Sequence, residues 1–230
     1  MQGEEKVQKY FHKQAARFDS IYEERKTFWQ KVVDRFFRQV VRDRFDLTFR
    51  EIGEINGKTI LDVGCGSGRY ALEFARRGAQ RVVGIDFAQA MIDLAKNYAE
   101  DLAEKERCKF ISGDFIKYDF KEKFDYTIAM GFFDYLKNPS DYLVRMKDFT
   151  KGKIVASFPK RWTWRTPIRK IRLFLANCQV YFYSRGDLEK LLKENQISES
   201  EIFDLSRDFI LIARIGQNEQ KINWQTREGR

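Results

Sequence analysis

At 230 residues the chain is long enough to bury one substantial core, so a single domain with additions is expected. No apolar run approaches the roughly 20 residues of a membrane span, and Met1-Gln2-Gly3-Glu4-Glu5-Lys6 lacks the apolar stretch of a signal peptide. Three scattered cysteines (Cys65, Cys108, Cys178) have no metal-ligand spacing, so the expectation is a reduced, cytoplasmic setting and no metal site. The net charge of +9 is local. Between Phe149 and Gly186 stand nine Lys or Arg and no acid, which leaves the rest of the chain formally neutral.

In chain order, a short helix is expected over roughly Glu4 to Phe18. A second follows to about Asp46, where Trp29, Val32, Val33, Phe36, Phe37, Val40 and Val41 recur at helical spacing. Asn56-Gly57 turns the chain into a first strand, Lys58 to Val63, and a helix runs from Gly68 to Arg77, stopped by Gly78. A strand at 81–85, a helix from Ala88 to about Lys105, a strand at 109–112 and a strand at 126–130 come next. A helix near 140–149, a strand at 153–157 and a helix at 188–194 complete the alternation. Two alternating runs, 197–205 and 209–215, read as an antiparallel hairpin, and a polar tail follows Gly216. Regular β-α alternation implies a mostly parallel sheet with helices on both faces, whose ligand sits beyond the carboxyl ends of its strands. The expected organisation is a helical N-terminal lid over 1–55, an α/β domain over 56–216 with a basic insertion at 158–183, and a tail over 217–230.

The most informative stretch is Ile60-Leu61-Asp62-Val63-Gly64-Cys65-Gly66-Ser67-Gly68-Arg69, answered by Val82-Val83-Gly84-Ile85-Asp86. An apolar strand enters a glycine-rich turn that opens a helix, and a second strand ends in a carboxylate 24 residues after the first. That is the layout of a site for a ribose-bearing cofactor, with Asp86 at the ribose hydroxyls. Dinucleotide sites need a small residue where Arg69 stands. Asp62 would lie close to a pyrophosphate, which a carboxylate repels. S-adenosylmethionine carries a sulfonium and an ammonium and no phosphate, and it fits better than a nicotinamide dinucleotide.

Asp62-x-Gly64-x-Gly66-x-Gly68 with Asp86, then Phe110-Ile111-Ser112-Gly113-Asp114-Phe115 and Phe124-Asp125-Tyr126-Thr127-Ile128-Ala129-Met130, resembles the class I S-adenosylmethionine-dependent methyltransferase superfamily over roughly Thr59 to Ile215. The resemblance implies a Rossmann-like seven-stranded sheet, mostly parallel with one antiparallel edge strand, and S-adenosylmethionine as cofactor, leaving as S-adenosylhomocysteine. It implies a pocket formed by Asp62, Gly64, Cys65, Gly66, Gly68, Asp86, Phe87, Met91, Gly113, Asp114, Phe115 and Met130. Within it Asp114 would accept from the adenine amino group, or instead cap a turn; Phe87 and Met91 read equally as core.

Methyl displacement from a sulfonium depends mostly on holding the acceptor close and in line. A base is needed only where the acceptor carries a proton that must leave. Its usual place is just after the fourth strand, here Gly131-Phe132-Phe133-Asp134-Tyr135-Leu136. Resembling O-methyltransferases have a histidine where Tyr135 stands, so Tyr135 and Asp134 are the candidates, or neither acts. The Asn-Pro-Pro-Tyr signature of amino methylation is absent.

The leading arm, with Tyr10, Arg17, Phe18 and Tyr22, is similar to the lids of magnesium-protoporphyrin O-methyltransferases and quinone-biosynthesis methyltransferases. The basic segment, with Arg161, Arg165 and Arg169, has three readings besides a solvated cap. These are a clamp for an anionic substrate, a peripheral contact with anionic lipid and an RNA contact. The function expected is methyl transfer to a small or amphipathic anionic metabolite, with O-methylation first. The alternatives are RNA methylation and a non-catalytic cofactor-binding partner protein.

Overall fold

The computed structural model describes residues 41–161 and 180–216. The expected arm with Tyr10, Arg17, Phe18 and Tyr22, the part of the basic segment that carries Arg165 and Arg169, and the polar tail lie outside the described residues. Residues 41–52 are helical (α1). Then follow β1 (Thr59–Val63), α2 (Arg69–Arg76), β2 (Arg81–Asp86), α3 (Gln89–Asp101), β3 (Cys108–Ser112) and β4 (Phe124–Ala129). A 3-10 turn (Phe133–Tyr135), α4 (Pro139–Asp148), β5 (Thr150–Pro159), α5 (Arg185–Glu194), β6 (Ser200–Asp204) and β7 (Asp208–Arg214) complete the described chain.

One seven-stranded sheet has the order β3-β2-β1-β4-β5-β7-β6. β1 to β5 pair in parallel, and β7 runs antiparallel between β5 and β6, so the C-terminal hairpin forms one edge. From β1 the chain winds outward through β2 and β3, then returns to place β4 on the other side of β1. The crevice at this reversal, beyond the carboxyl ends of β1 and β4, is where such sheets hold ligands.

Strand alternation divides the core into two layers. Ile60, Val82, Ile128, Val155, Ile210 and Ile212 face Leu47, Ile52, Phe74, Ile92 and Ala95 of α1, α2 and α3. Their neighbours Leu61, Val83, Ala129, Ile154, Ala156 and Leu211 face Leu143, Met146, Leu188 and Leu192 of α4 and α5. The same period places Asp62 and Ser157 on the α1–α3 side, each two residues from an apolar member of that layer.

Several elements depart from their expected bounds, three of them for reasons visible in the packing or backbone. α1 continues past Asp46 to residue 52 because Leu47, Phe49 and Ile52 are buried; Phe49 packs on Phe74 with ring centroids 4.5 Å apart. The expected continuation of α3 to Lys105 ends at Asp101, since Ala103 adopts a left-handed conformation with φ of 56°. β5 is longer at both ends, with Thr150 and Phe158 buried. α5 starts with a capping box: Asp187 N–H donates to Ser184 Oγ at 3.2 Å, and Ser184 N–H donates to Asp187 Oδ2 at 2.7 Å.

Two substitutions test this packing in denaturant unfolding. Phe74→Ala, at a fully buried ring, is expected to cost about 3–5 kcal/mol. Ser184→Ala is expected to cost about 1 kcal/mol.

Candidate functional site

The glycine loop leaves β1 and stays tied to β2. Gly64 N–H and Cys65 N–H both donate to the Ile85 carbonyl, at 2.8 and 3.2 Å. Gly64 has φ of +68°, and a Cβ there would stand 2.4 Å from the Phe132 ring, so only glycine fits where this loop meets the one after β4. Gly66 has φ of +53°, and a Cβ there would meet nothing within 4 Å. The backbone at Gly66 therefore lies open, with Gly68 at the N-terminus of α2. Cys65 is buried, and its sulfur lies where a side chain on Gly84 would go, which fits a packing role.

Asp86 orders this loop from β2. Its Oδ2 accepts from Gly66 N–H and its Oδ1 from Ala88 N–H, both at 2.9 Å. Burial pushes its carboxyl above the usual range, and the backbone donors of Ala88, Gly66 and Phe87 oppose that rise. Each oxygen accepts one of these bonds and keeps further acceptor capacity.

Asp62 is a strongly perturbed acid at the centre of the site. It is 2 % exposed and accepts a backbone hydrogen bond from Ala71, while its Oδ2 has no hydrogen-bond partner among the described residues. Burial, with repulsion from Asp86 second, pushes its carboxyl up to about 8. A buried carboxylate oxygen without a donor is costly unless a cation meets it.

Beside it lies a polar group on the same face of the sheet. The Tyr70 phenol is pushed up to about 12 by burial, with Arg44 pulling it down and Asp62 pushing it further up. Its hydroxyl lies near the Thr48 hydroxyl, which also pulls the phenol down, but makes no well-formed hydrogen bond among the described residues. The neighbouring Thr48 hydroxyl donates to the Arg44 carbonyl at 2.7 Å and lies 3.7 Å from Met130 Sδ. Arg44 Nη1 lies 3.2 Å from Ser157 Oγ and 3.7 Å from Asp208 Oδ2. One corner thus holds an anion acceptor, a cation acceptor and a phenol.

The other expected residues lie around the glycine loop. Phe87, Met91 and Ala88 form a small apolar cluster at the start of α3. Gly113 N–H donates to the Asp86 carbonyl at 2.9 Å. Asp114 is exposed; its Oδ1 accepts from Ile116 N–H at 2.9 Å, which is the turn-capping alternative, and its Oδ2 lies 3.4 Å from Lys117 Nζ. Phe115 is buried against Phe120 in the core.

After β4, Asp134 and Tyr135 lie on the 3-10 turn, Asp134 buried and Tyr135 half-buried. Phe133 stacks on Phe158 at 4.4 Å, and Tyr181 N–H donates to the Asp134 carbonyl at 2.8 Å. Next to this turn a cleft of about 300 Å³ is lined by Lys137, Tyr181, Phe182 and Lys190 among others. Arg161, also at its rim, is held by Asp187 at 3.0 Å. Among the described residues no three His, Cys, Asp or Glu side chains converge as metal ligands, and no helix is long and apolar enough to cross a membrane.

Arg44, Thr48, Tyr70 and Ser157 were not singled out by the sequence reading. Arg44 sits among many basic residues, and Ser157 has no motif around it. A usable signal existed in Tyr70 directly after the loop helix opens, and in Ser157 at the end of an otherwise apolar strand.

This sheet order with a glycine loop between β1 and α2 and an acid ending β2 defines a Rossmann-like methyltransferase architecture. Residues 60–152 match a family described as a methyltransferase domain, and over this stretch the chain is similar to class I S-adenosylmethionine-dependent methyltransferases. The chain is 29% identical over 132 residues to a ubiquinone biosynthesis O-methyltransferase of Rhodopseudomonas palustris, covering 55% of this chain and 50% of that protein. It is 30% identical over 119 residues to a tRNA U34 carboxymethyltransferase of Marinobacter nauticus, covering 45% of this chain and 32% of that protein. The chain thus spans half or less of the length of these curated relatives. In fold it is similar to the magnesium protoporphyrin IX methyltransferase of Synechocystis PCC 6803 solved with bound SAH, with a TM-score of 0.71 and 23% identity over 91% of this chain and 98% of that one.

The raised carboxyl of Asp62 makes folding pH-dependent. Between its ordinary value of 3.8 and about 8 the unfolded chain releases a proton that the folded site retains, so stability falls as pH rises through that window. Asp62→Asn removes this slope. In thermal unfolding without ligand, the variant is expected to gain on the wild type by up to a few kcal/mol between pH 5 and 8; parallel profiles would refute the assignment.

Proposed function

We propose that this protein is an enzyme that transfers a methyl group from S-adenosylmethionine to a small or amphipathic anionic metabolite, with oxygen as the favoured acceptor atom. The observation that carries the cofactor reading is the unpartnered, buried Oδ2 of Asp62 beside the Arg44–Tyr70 corner. These groups fit an α-amino acid. Asp62 would accept from its ammonium, and Arg44 and Tyr70 would donate to its carboxylate. Asp86 would hold the ribose hydroxyls, and the open backbone at Gly66 leaves room for the nucleoside to lie close. The residues present therefore suit a cofactor with a nucleoside at one end and a zwitterionic amino acid at the other. A pyrophosphate would bring no cation to that oxygen, and its charge would keep the buried carboxyl protonated.

When bound, the cofactor supplies an activated methyl on a sulfonium, and the chain's own work is then orientation and exclusion of water. The Phe132–Phe133–Asp134–Tyr135 turn, set against the glycine loop through Gly64, is where the acceptor would be aligned. Asp134 and Tyr135 are the groups that would orient or deprotonate it. The cleft near this turn offers an apolar surface at Tyr181 and Phe182; its Lys190 and Arg161 are paired with Glu194 and Asp187, so the anionic character proposed for the acceptor rests on Lys137 and the basic segment. The arm residues Tyr10, Arg17, Phe18 and Tyr22 as a lid, and Arg161, Arg165 and Arg169 as a substrate clamp, belong to this proposal. Arg161 would then be shared between substrate and Asp187.

The tRNA-modifying relative and the basic segment together favour RNA as the second substrate class. Incubation with methyl-labelled S-adenosylmethionine and a cell extract divided into small-molecule, lipid, protein and RNA pools separates the two. Label is expected in the small-molecule or lipid pool; label confined to RNA would transfer the proposal to nucleic acid. Gly66→Val places a β-branched residue at positive φ inside the glycine loop and is expected to abolish transfer and S-adenosylhomocysteine binding while the protein stays folded. Retained binding would exclude the site.

A further inference from the structure

Asp208 is a buried acid with no place in the glycine loop itself. It begins β7, is 4 % exposed, and stands on the same face as Ile210 and Ile212, where an apolar residue would continue the alternation. Its carboxylate points inward to Arg44, with Oδ2 at 3.7 Å from Nη1. Ser157 lies beside it on β5: Pro159 pairs with Asp208 and Ser157 with Ile210 in the antiparallel ladder. Ser157 Oγ is 3.2 Å from the same Arg44 nitrogen and accepts Gly131 N–H at 2.7 Å.

One guanidinium nitrogen is therefore approached from two strands. The hydroxyl that it meets also fixes the first residue after Met130, the start of the loop whose Phe132 packs on Gly64. Tyr70 feels the charges of Arg44, Asp62 and Asp208 together, so the acid lies within electrostatic reach of the cofactor corner.

Buried ion pairs add little net stability compared with apolar residues of the same volume, because both partners lose hydration. What such a pair does supply is a fixed direction for the guanidinium. A guanidinium bonds a carboxylate well only when its planar fork is aligned with it.

We propose that Asp208, with Ser157, is a positioning residue for the amino-acid end of the cofactor: the C-terminal hairpin holds Arg44 so that its guanidinium meets the cofactor carboxylate. This rests on the cofactor reading above. It gives the β6–β7 edge a part in donor binding, although no residue of the hairpin lies in the glycine-loop motif.

The test separates the carboxylate from the rest of the ligand. S-adenosylhomocysteine and its decarboxylated analogue, which keeps the nucleoside, thioether and amine, are titrated into the full chain as wild type, Asp208→Asn and Ser157→Ala, with each variant's melting temperature measured alongside. In the wild type S-adenosylhomocysteine is expected to bind more tightly than the analogue. In Asp208→Asn that preference is expected to shrink about tenfold or more, with analogue affinity within about twofold of wild type; Ser157→Ala shrinks it in the same direction. These values correspond to the ~1–3 kcal/mol range of a charge-assisted hydrogen bond. Equal loss for both ligands would show a merely structural role and overturn the proposal, as would an unchanged preference. If Asp208→Asn does not fold, Ser157→Ala decides by the same two criteria. A wild type that binds neither ligand would instead bring down the cofactor reading on which the proposal stands.

Discussion

Asp62 is the penultimate residue of β1, between two apolar side chains that have no exposure to solvent, and one of its oxygens meets no donor among the described residues. Much of the site can be read from that constraint. The strand must be central for its neighbours to be buried on both faces, and the period of two then turns Asp62 toward α2. Ala71 satisfies one oxygen, and the other waits on a cation. Asp86 raises the cost by repulsion and cannot approach more closely, because its own oxygens hold Gly66 and Ala88. A buried acid and a half-buried one near the carboxyl ends of adjacent strands are tolerable where a ligand brings positive charge to one and hydroxyl donors to the other.

The elements around them follow. Gly64 lets the loop turn under the Phe132 ring, which joins the donor side of the crevice to the turn that carries Asp134 and Tyr135. α1 brings Arg44 and Thr48 to the same corner, and its buried Leu47 and Ile52 fix that helix on the sheet. β5 and β7 meet Arg44 from below through Ser157 and Asp208. The donor side of the site is therefore assembled from the first described helix, the central strands and the C-terminal hairpin.

Much of the fold was legible in the sequence because its signals are short-range. The strand–glycine–helix unit at 60–76 and the acid at the end of β2 each occupy a few consecutive residues. The order of alternation was enough to foresee a doubly wound sheet with a C-terminal hairpin. Helix and strand ends were less legible: α1 outlasts its charged, periodic part because Phe49 and Ile52 are paid for by tertiary burial rather than by local pattern. The Arg44–Tyr70–Ser157–Asp208 corner was illegible for a related reason. Its members are separated by up to 164 positions in sequence and come together only through strand register. The acceptor side was read least, since the residue types at Asp134 and Tyr135 suit several chemistries, and the arm expected as a lid and residues 162–179 of the basic segment lie outside the described residues.

The central claim is that Asp62 awaits the ammonium of an amino-acid-bearing nucleoside. Calorimetric titration of S-adenosylhomocysteine at pH 7, repeated in buffers of different ionisation enthalpy, tests it directly. The free site holds a proton on Asp62 at that pH, and an arriving ammonium favours the carboxylate, so binding is predicted to release close to one proton in the wild type and none in Asp62→Asn. Binding without proton release, or equal release by both proteins, would contradict the account.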